Sequence, residues 1–304
     1  MSLFYLPVNF DLKFASSVFA DNQPLFVLRS VLGKELRSMC CVTHQSKCTE
    51  CMYNKTCAYA FLFETLLEQN NAVVPGRNRA SHPFAFTQGK NLYKKTIKEY
   101  DFTITLFGKS IDYLPYIYAA FVHAGKKGLF KTRVPFVIEN VLVEGKSILI
   151  APEQIDTNIT PMSFEFDEND ASEKNGEVLV ELKTPMRFKA FGKYSSNFSA
   201  YDFMSCLYRR ASTLCQLYGT NSQMKRRQNK DYSIIEKNLY WSESNHYSAR
   251  QKRAMRMGGI TGTFKLAGTF THSDIKLLEF AHIANAGKNT NFGLGQFDFW
   301  SKWE

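Results

Sequence analysis

The spacing of apolar residues changes repeatedly along this chain between the period of a β-strand and that of an α-helix. Alternate residues are apolar from Leu3 to Phe14, as in a strand with one buried face. Apolar residues three or four apart then predict a helix that starts through Pro24, capped by Asp21 and Asn22. The same two periods predict a strand at 100–106, a helix at 111–122 and a strand at 134–143. This alternation predicts a βαββαβ unit in which one strand has no clear pattern.

The second half of the chain repeats this order of patterns. Strand patterns occur at 177–182, 262–266 and 296–299, and helix patterns at 202–217 and 275–283. Asp274 is predicted to cap the last helix, and the basic stretch that follows the first of these helices is interpreted as a loop. The sequence therefore predicts an α+β protein of two tandem ferredoxin-like (RRM-like) domains, at 1–155 and 156–304, with a cysteine-rich insertion at 40–57 in the first.

The chain carries a formal net charge of +10, with a pI near 9.1. Its cations are concentrated between residues 225 and 256, where Tyr232, Tyr240, Trp241 and Tyr247 lie among them. Cations interleaved with aromatic rings are typical of a surface that binds a phosphate backbone and exposed bases. The alternative is a protein surface that the charges only solvate.

Composition excludes other classes of protein. With 26 Phe and 15 Tyr, the chain has too many aromatic residues to be disordered. Its apolar runs are shorter than the roughly 20 residues that span a bilayer. The segment 1–14 has no basic leader, and Asp11 and Lys13 interrupt its apolar pattern, so it is not expected to be a signal peptide. We therefore expect a cytoplasmic protein without a membrane partner.

A glycine-rich segment at 285–295 contains Gly287, Gly293 and Gly295 together with Lys288 and Phe292. Glycines permit positive φ angles and a close approach to the main chain. Free backbone N–H groups beside a lysine could form an anion-binding nest for phosphate, and the Phe292 ring could stack on a base. The alternative is a hairpin with glycines at its bends.

The chain has seven cysteines, an odd number that favours a reducing compartment over a set of disulfides. Five of them lie between residues 40 and 57. Cys48 and Cys51 have the spacing of a zinc knuckle, and Cys41 and Cys57 could complete a four-thiolate structural zinc site. The alternative is a group of buried free thiols. Cys206 and Cys215 are expected to pack in the core.

The combination of motifs resembles a known family. The residues that carry the resemblance are the glycine-rich segment with Asn285 in place of its first glycine, Tyr247–Gln251 and Met257–Gly262, Thr184–Arg187, the run from Leu106 through Gly128, and the cysteine loop ending in Cys57-Ala-Tyr59. Together they resemble the CRISPR-associated endoribonucleases that process precursor CRISPR RNA, within the RAMP superfamily, in the branch with an N-terminal cysteine cluster.

The resemblance implies a substrate and a reaction. The substrate would be the repeat stem-loop of a CRISPR transcript, and other CRISPR-associated proteins are possible partners. A ribose 2′-OH would attack the adjacent phosphate, leaving a 2′,3′-cyclic phosphate and a 5′-OH. No metal would take part in catalysis, so a bound zinc would be structural. The alternative is a non-catalytic RNA-binding subunit of a CRISPR effector complex built on the same fold.

The resemblance also implies site residues. The family often places a catalytic histidine in or just after the first helix, which selects His44, and His246 in the basic segment is its rival. Because His44 lies inside the cysteine loop, the alternatives for it are a zinc ligand or a residue without a role. Lys288 and Arg250 are expected to stabilise charge on the reacting phosphate. Contacts to RNA are expected from a larger set: Arg227, Tyr247, Arg250, Arg253, Arg256, Gly287, Phe292, Gly293 and Gly295.

Overall fold

A computed structural model of the protein describes residues 2–19, 24–44, 47–67, 79–90, 96–166, 170, 172–190, 192–220, 231–243, 245–248 and 253–304. The chain divides into two compact units, residues 3–163 with 217–219 and residues 164–216 with 1–2 and 220–304. None of the helices within these described residues is long and apolar enough to cross a membrane.

The N-terminal unit has two long helices and a sheet. Its helices are α1 (Pro24–Cys40) and α2 (Leu114–Lys127). Its strands are β1 (Ser2–Phe19), β2 (Phe84–Gln88), β3 (Thr96–Phe107), β4 (Phe136–Val143), β5 (Lys146–Ser147), β6 (Leu149–Ala151) and β7 (Gln154–Ile155). A π-helical turn at Ala60–Glu64 and 3₁₀ turns at Cys48–Glu50 and Gly108–Tyr113 complete it.

The sheet of this unit runs in the order β2-β3-β1-β4-β5, and its neighbouring strands are antiparallel. This is the strand order of a ferredoxin-like βαββαβ unit, and β2 is the strand without a clear sequence pattern. The inward face of β1 buries alternate residues because successive side chains of a strand point to opposite faces. Phe10 stacks on Phe102 and contacts Phe121 of α2, with both pairs of ring centroids 5.3 Å apart.

The C-terminal unit repeats the arrangement. Its helices are α3 (Ala200–Tyr218) and α4 (His272–Ala284). Its strands are β9 (Glu173–Met186), β10 (Lys189–Ala190), β11 (Lys193–Tyr194), β12 (Tyr232–Ser242), β13 (Asn245–Ser248), β14 (Arg253–Arg256), β15 (Gly259–Thr271) and β16 (Phe297–Trp303), and a short β8 (Met162–Glu165) precedes them. The main sheet runs β12-β15-β9-β16, again antiparallel. The fold is therefore α+β with two tandem ferredoxin-like units.

Three local predictions were wrong. The basic stretch after α3 is not only a loop, because it contains the edge strand β12 and the hairpin β13–β14. The cap of α4 is Thr271, whose hydroxyl accepts a hydrogen bond from the Asp274 amide, and Asp274 is its capping-box partner. The helix predicted at 111–122 begins later because Pro115 stands in its first turn, and it continues through Gly125. Cys206 and Cys215 are buried in α3, as predicted.

Candidate nucleic-acid interface

The glycine-rich segment connects α4 to β16 and lies against the end of β9. The Lys288 amide donates to the Arg187 carbonyl at 2.8 Å, and the Gly295 amide donates to the Pro185 carbonyl at 3.1 Å. The Thr184 hydroxyl donates to the Gly293 carbonyl at 2.8 Å. These bonds hold the segment 285–295 against the segment 184–187. Two of the motifs found in the sequence are therefore in direct contact.

The glycines of this segment are required by the protein's own backbone. Gly287, Gly293 and Gly295 have φ angles of 85°, 83° and 78°. A Cβ at Gly287 would lie 2.6 Å from the Arg187 carbonyl oxygen, and one at Gly295 would lie 1.8 Å from that of Ala286. Asn285, at the position where the resemblance expects a glycine, is fully buried and has a φ of 55°. Close internal packing therefore explains the glycines.

The predicted nest of free amides is wrong for most of the segment. The amides of Ala286, Lys288, Phe292, Gly293, Leu294 and Gly295 donate to backbone carbonyls of the protein itself. An amide that already donates within the fold is not free to bind phosphate. Gly293 and Gly295 are buried, while Gly287 and Phe292 are partly accessible, so the segment offers a limited surface to a ligand.

The exposed group of this segment is the Lys288 ammonium. Its Nζ lies 3.0 Å from the Tyr194 hydroxyl, 94 residues away in the chain. Two more cations surround the same ring: the Arg187 guanidinium carbon lies 4.3 Å and the Lys189 Nζ lies 5.7 Å from its centroid. Within the described residues, neither Lys189 nor Lys288 forms an ion pair with a carboxylate. We call Arg187, Lys189, Tyr194 and Lys288 the tyrosine–cation cluster.

The positive charges of the cluster change the pKa of the Tyr194 phenol. Burial raises the pKa of the Tyr194 phenol, but the hydrogen bond from Lys288 and the three neighbouring charges outweigh burial, and the pKa is lowered below its usual value. Sequence reasoning identified Lys288 and quoted Arg187 in a motif, but it missed Lys189 and Tyr194. The available signal was the run Arg187-Phe-Lys189 directly after the Thr-Pro motif.

Three other predicted RNA-binding residues, Tyr247, Arg253 and Arg256, lie in the hairpin β13–β14. His246 pairs with Met255, and Tyr247 pairs with Ala254. Arg227 and Arg250 lie outside the described residues. The roles of all these residues stay predictions.

The cysteine insertion forms a small cavity of about 30 Å³ in the N-terminal unit, lined by Cys40, Cys41, Cys48, Cys51, Cys57 and neighbouring residues. All five thiols are free. Burial raises the pKa of Cys40 and Cys48, whereas a hydrogen bond with the Thr43 hydroxyl, 3.4 Å away, lowers that of Cys51. His44 is exposed, has a φ of 52° and does not line the cavity.

The cysteines that line the cavity are suitable zinc ligands, but their arrangement is not that of a metal site. It brings together the four predicted ligands, and thiolates are the donors that structural zinc prefers. Nevertheless, no three Cys, His, Asp or Glu side chains in the described part of the chain are arranged to hold a metal ion. The zinc site therefore stays a prediction.

Comparisons with solved structures show where this fold recurs. A Cas6 product complex has a TM-score of 0.55 and 13% identity, over 98% of this chain and 99% of that chain. A Thermus thermophilus Cas6 has a TM-score of 0.51 and 13% identity over similar shares, 98% and 99%. A partial Cas6-RT-Cas1–Cas2 complex has a TM-score of 0.58 and 12% identity over 99% of this chain but only 46% of that chain. No curated protein matches this chain.

Family models cover most of the sequence. A model described as an N-terminal domain matches residues 3–160. The model of the CRISPR-associated endoribonuclease Cas6 matches residues 180–297, which include the second half of β9, the tyrosine–cation cluster and the glycine-rich segment. This match, the motifs in the sequence and the tandem ferredoxin-like fold agree with one another: residues 180–297 of the chain match the Cas6 family of CRISPR-associated endoribonucleases.

Proposed function

We propose that this protein cleaves CRISPR precursor RNA within its repeats without a catalytic metal. The 2′-OH beside the scissile phosphate attacks that phosphate, and the products carry a 2′,3′-cyclic phosphate and a 5′-OH. The observation that carries the proposal is the tyrosine–cation cluster, which lies within the segment matched by the Cas6 model. Lys189 and Lys288, which form no ion pair among the residues that the structure describes, are suited to neutralise a phosphodiester.

Each step of this reaction needs a chemical group. The developing charge on the phosphorane is stabilised by a cation, and Lys288 is exposed beside the glycine-rich segment for this purpose. The 2′-OH proton is removed by a base, for which His44 and His246 are the two candidates. A histidine suits the role because both of its protonation states are accessible near neutral pH.

The first test is incubation of the protein with end-labelled repeat RNA in EDTA, followed by end-group analysis. We expect one cut per repeat and a cyclic phosphate at the 3′ end of the upstream fragment. Lys288→Ala should slow the cut strongly, whereas Lys302→Ala, which removes an exposed lysine on β16, should not. RNA that is bound tightly and left intact would instead support the non-catalytic RNA-binding subunit.

A second experiment assigns the base. His44→Ala and His246→Ala should both bind RNA, and the variant that lacks the base should lose cleavage by roughly 10²–10⁴-fold. Normal cleavage by His44→Ala would exclude His44. Normal cleavage by both variants would show that neither histidine is the base.

We further propose a structural zinc bound by Cys41, Cys48, Cys51 and Cys57. The shared cavity and the thiol donor set support this site. We also propose contact with other CRISPR-associated proteins, since a fold like this one forms part of a Cas6-RT-Cas1–Cas2 complex. Co-purification of the protein with candidate partners would test that contact.

A further inference from the structure

The hydroxyl of Tyr194 has a defined hydrogen-bonding state. An ammonium group has three donors and no acceptor, so Lys288 donates to the phenol oxygen across their 3.0 Å separation. Tyr194 forms no second hydrogen bond within the described residues. Its own proton therefore remains available to a ligand at the cluster.

The surroundings of Tyr194 stabilise its deprotonated form. Arg187 lies over the ring face, and the Nζ atoms of Lys189 and Lys288 lie 5.7 and 5.4 Å from the ring centroid. Among the described residues, these three cations are the charged groups that act on the phenol. They attract a phosphodiester to the same place at which they stabilise a phenolate. A phenol in this position can donate its proton, and the phenolate that results is stabilised by the neighbouring cations.

We propose that Tyr194 is the general acid of the cleavage reaction and donates its phenolic proton to the departing 5′-oxygen. This inference rests on the proposed function. The 2′-oxygen forms a bond to phosphorus, the bond from phosphorus to the 5′-oxygen breaks, and the 5′-oxygen takes the proton of Tyr194. The base retains the proton of the 2′-OH. The phenolate formed accepts the hydrogen bond from Lys288 and is reprotonated from water.

The test compares Tyr194→Phe with the wild type on two repeat RNAs. One RNA has the natural 5′-oxygen at the scissile phosphate, and the other has sulfur in its place, which leaves as a thiolate without protonation. Tyr194→Phe should cut the natural RNA about 10²–10⁴-fold more slowly under single-turnover conditions and the sulfur RNA at close to the wild-type rate. Its affinity for RNA should be unchanged. Tyr201→Phe, on α3 of the same unit, serves as the matched control and should leave both rates unchanged.

The outcomes separate this inference from the proposed function. If the wild type leaves the natural RNA intact, both are overturned. If the wild type cuts it and Tyr194→Phe is equally slow on both RNAs, or as fast as wild type on the natural RNA, only the role of Tyr194 is overturned.

A second measurement does not depend on the Phe variant. The wild-type rate on the natural RNA should fall at alkaline pH as the acid loses its proton. Lys288→Met removes the hydrogen bond that favours the phenolate, so this fall should move to higher pH in the variant. An unmoved alkaline limb would contradict the inference.

Discussion

Gly295 and Gly192 have the same φ of 78° in opposite surroundings. A Cβ added at Gly295 would lie 1.8 Å from the Ala286 carbonyl oxygen, whereas one added at Gly192 would meet nothing within 4 Å. Both glycines belong to the C-terminal unit. Replacing each by alanine therefore separates the cost of the contact from the cost of the backbone angle.

The difference between the two variants can be worked from the structure. An alanine in a left-handed conformation costs roughly 1–2 kcal/mol, and restriction of the unfolded chain offsets about 0.4–1 kcal/mol of this. We therefore expect Gly192→Ala to lower the free energy of unfolding by about 1 kcal/mol. In Gly295→Ala the segment must also move away, which breaks the hydrogen bonds of Gly295 with Ala286 and Pro185. At about 0.5–1.5 kcal/mol for each bond, the total becomes about 3 kcal/mol.

Urea unfolding followed by tryptophan fluorescence measures this difference. The three tryptophans of the chain, Trp241, Trp300 and Trp303, all lie in the C-terminal unit, so the signal reports that unit. The midpoint of Gly295→Ala should fall well below that of Gly192→Ala, with similar slopes. Equal midpoints would refute the argument that the glycines serve close packing of the main chain.

Three further predictions concern the metal, the RNA and the buried thiols. Elemental analysis should find about one zinc per chain. The Cys48→Ser variant should lose this zinc, and the Cys206→Ser variant should keep it. A wild-type protein without zinc would contradict the site. RNA affinity should fall steeply with salt, and Lys288→Ala should reduce the slope of log K against log salt by about 1; an unchanged slope would show that Lys288 does not contact phosphate. Burial raises the pKa of Cys206 to about 11 and that of Cys215 to about 12, so the folded state keeps protons that the unfolded chain loses above its usual thiol pKa of 9.0. The free energy of unfolding should therefore fall as pH rises from 9 through 11, and Cys215→Ala should make this fall less steep. A Cys215→Ala profile identical to that of the wild type would contradict the role of the buried thiol.

The sequence alone determined the order of the main elements. A strand or helix with one buried face repeats its apolar residues at its own period, so β1, α1, β3, α3 and β15 could be recognised locally. Burial of these faces against one another then favours the ferredoxin-like unit. The edge strand β12 could not be recognised in this way, because most of its residues are exposed and it shows no alternation.

The tertiary structure decided what surrounds the candidate site. Lys288 was identified from its own segment, but its contact with Tyr194 joins residues 94 positions apart, and only the pairing of β16 with β9 brings their segments together. The structural role of Gly287 and Gly295 was also ambiguous in the sequence. A glycine permits another group to approach the main chain closely, but the sequence does not show whether that group is a ligand or the protein's own backbone. The fold supplies that neighbour, the carbonyls of Arg187 and Ala286. Periodicity is a local property that a sequence records directly, whereas these contacts depend on strand order and register, which are set by the whole sheet.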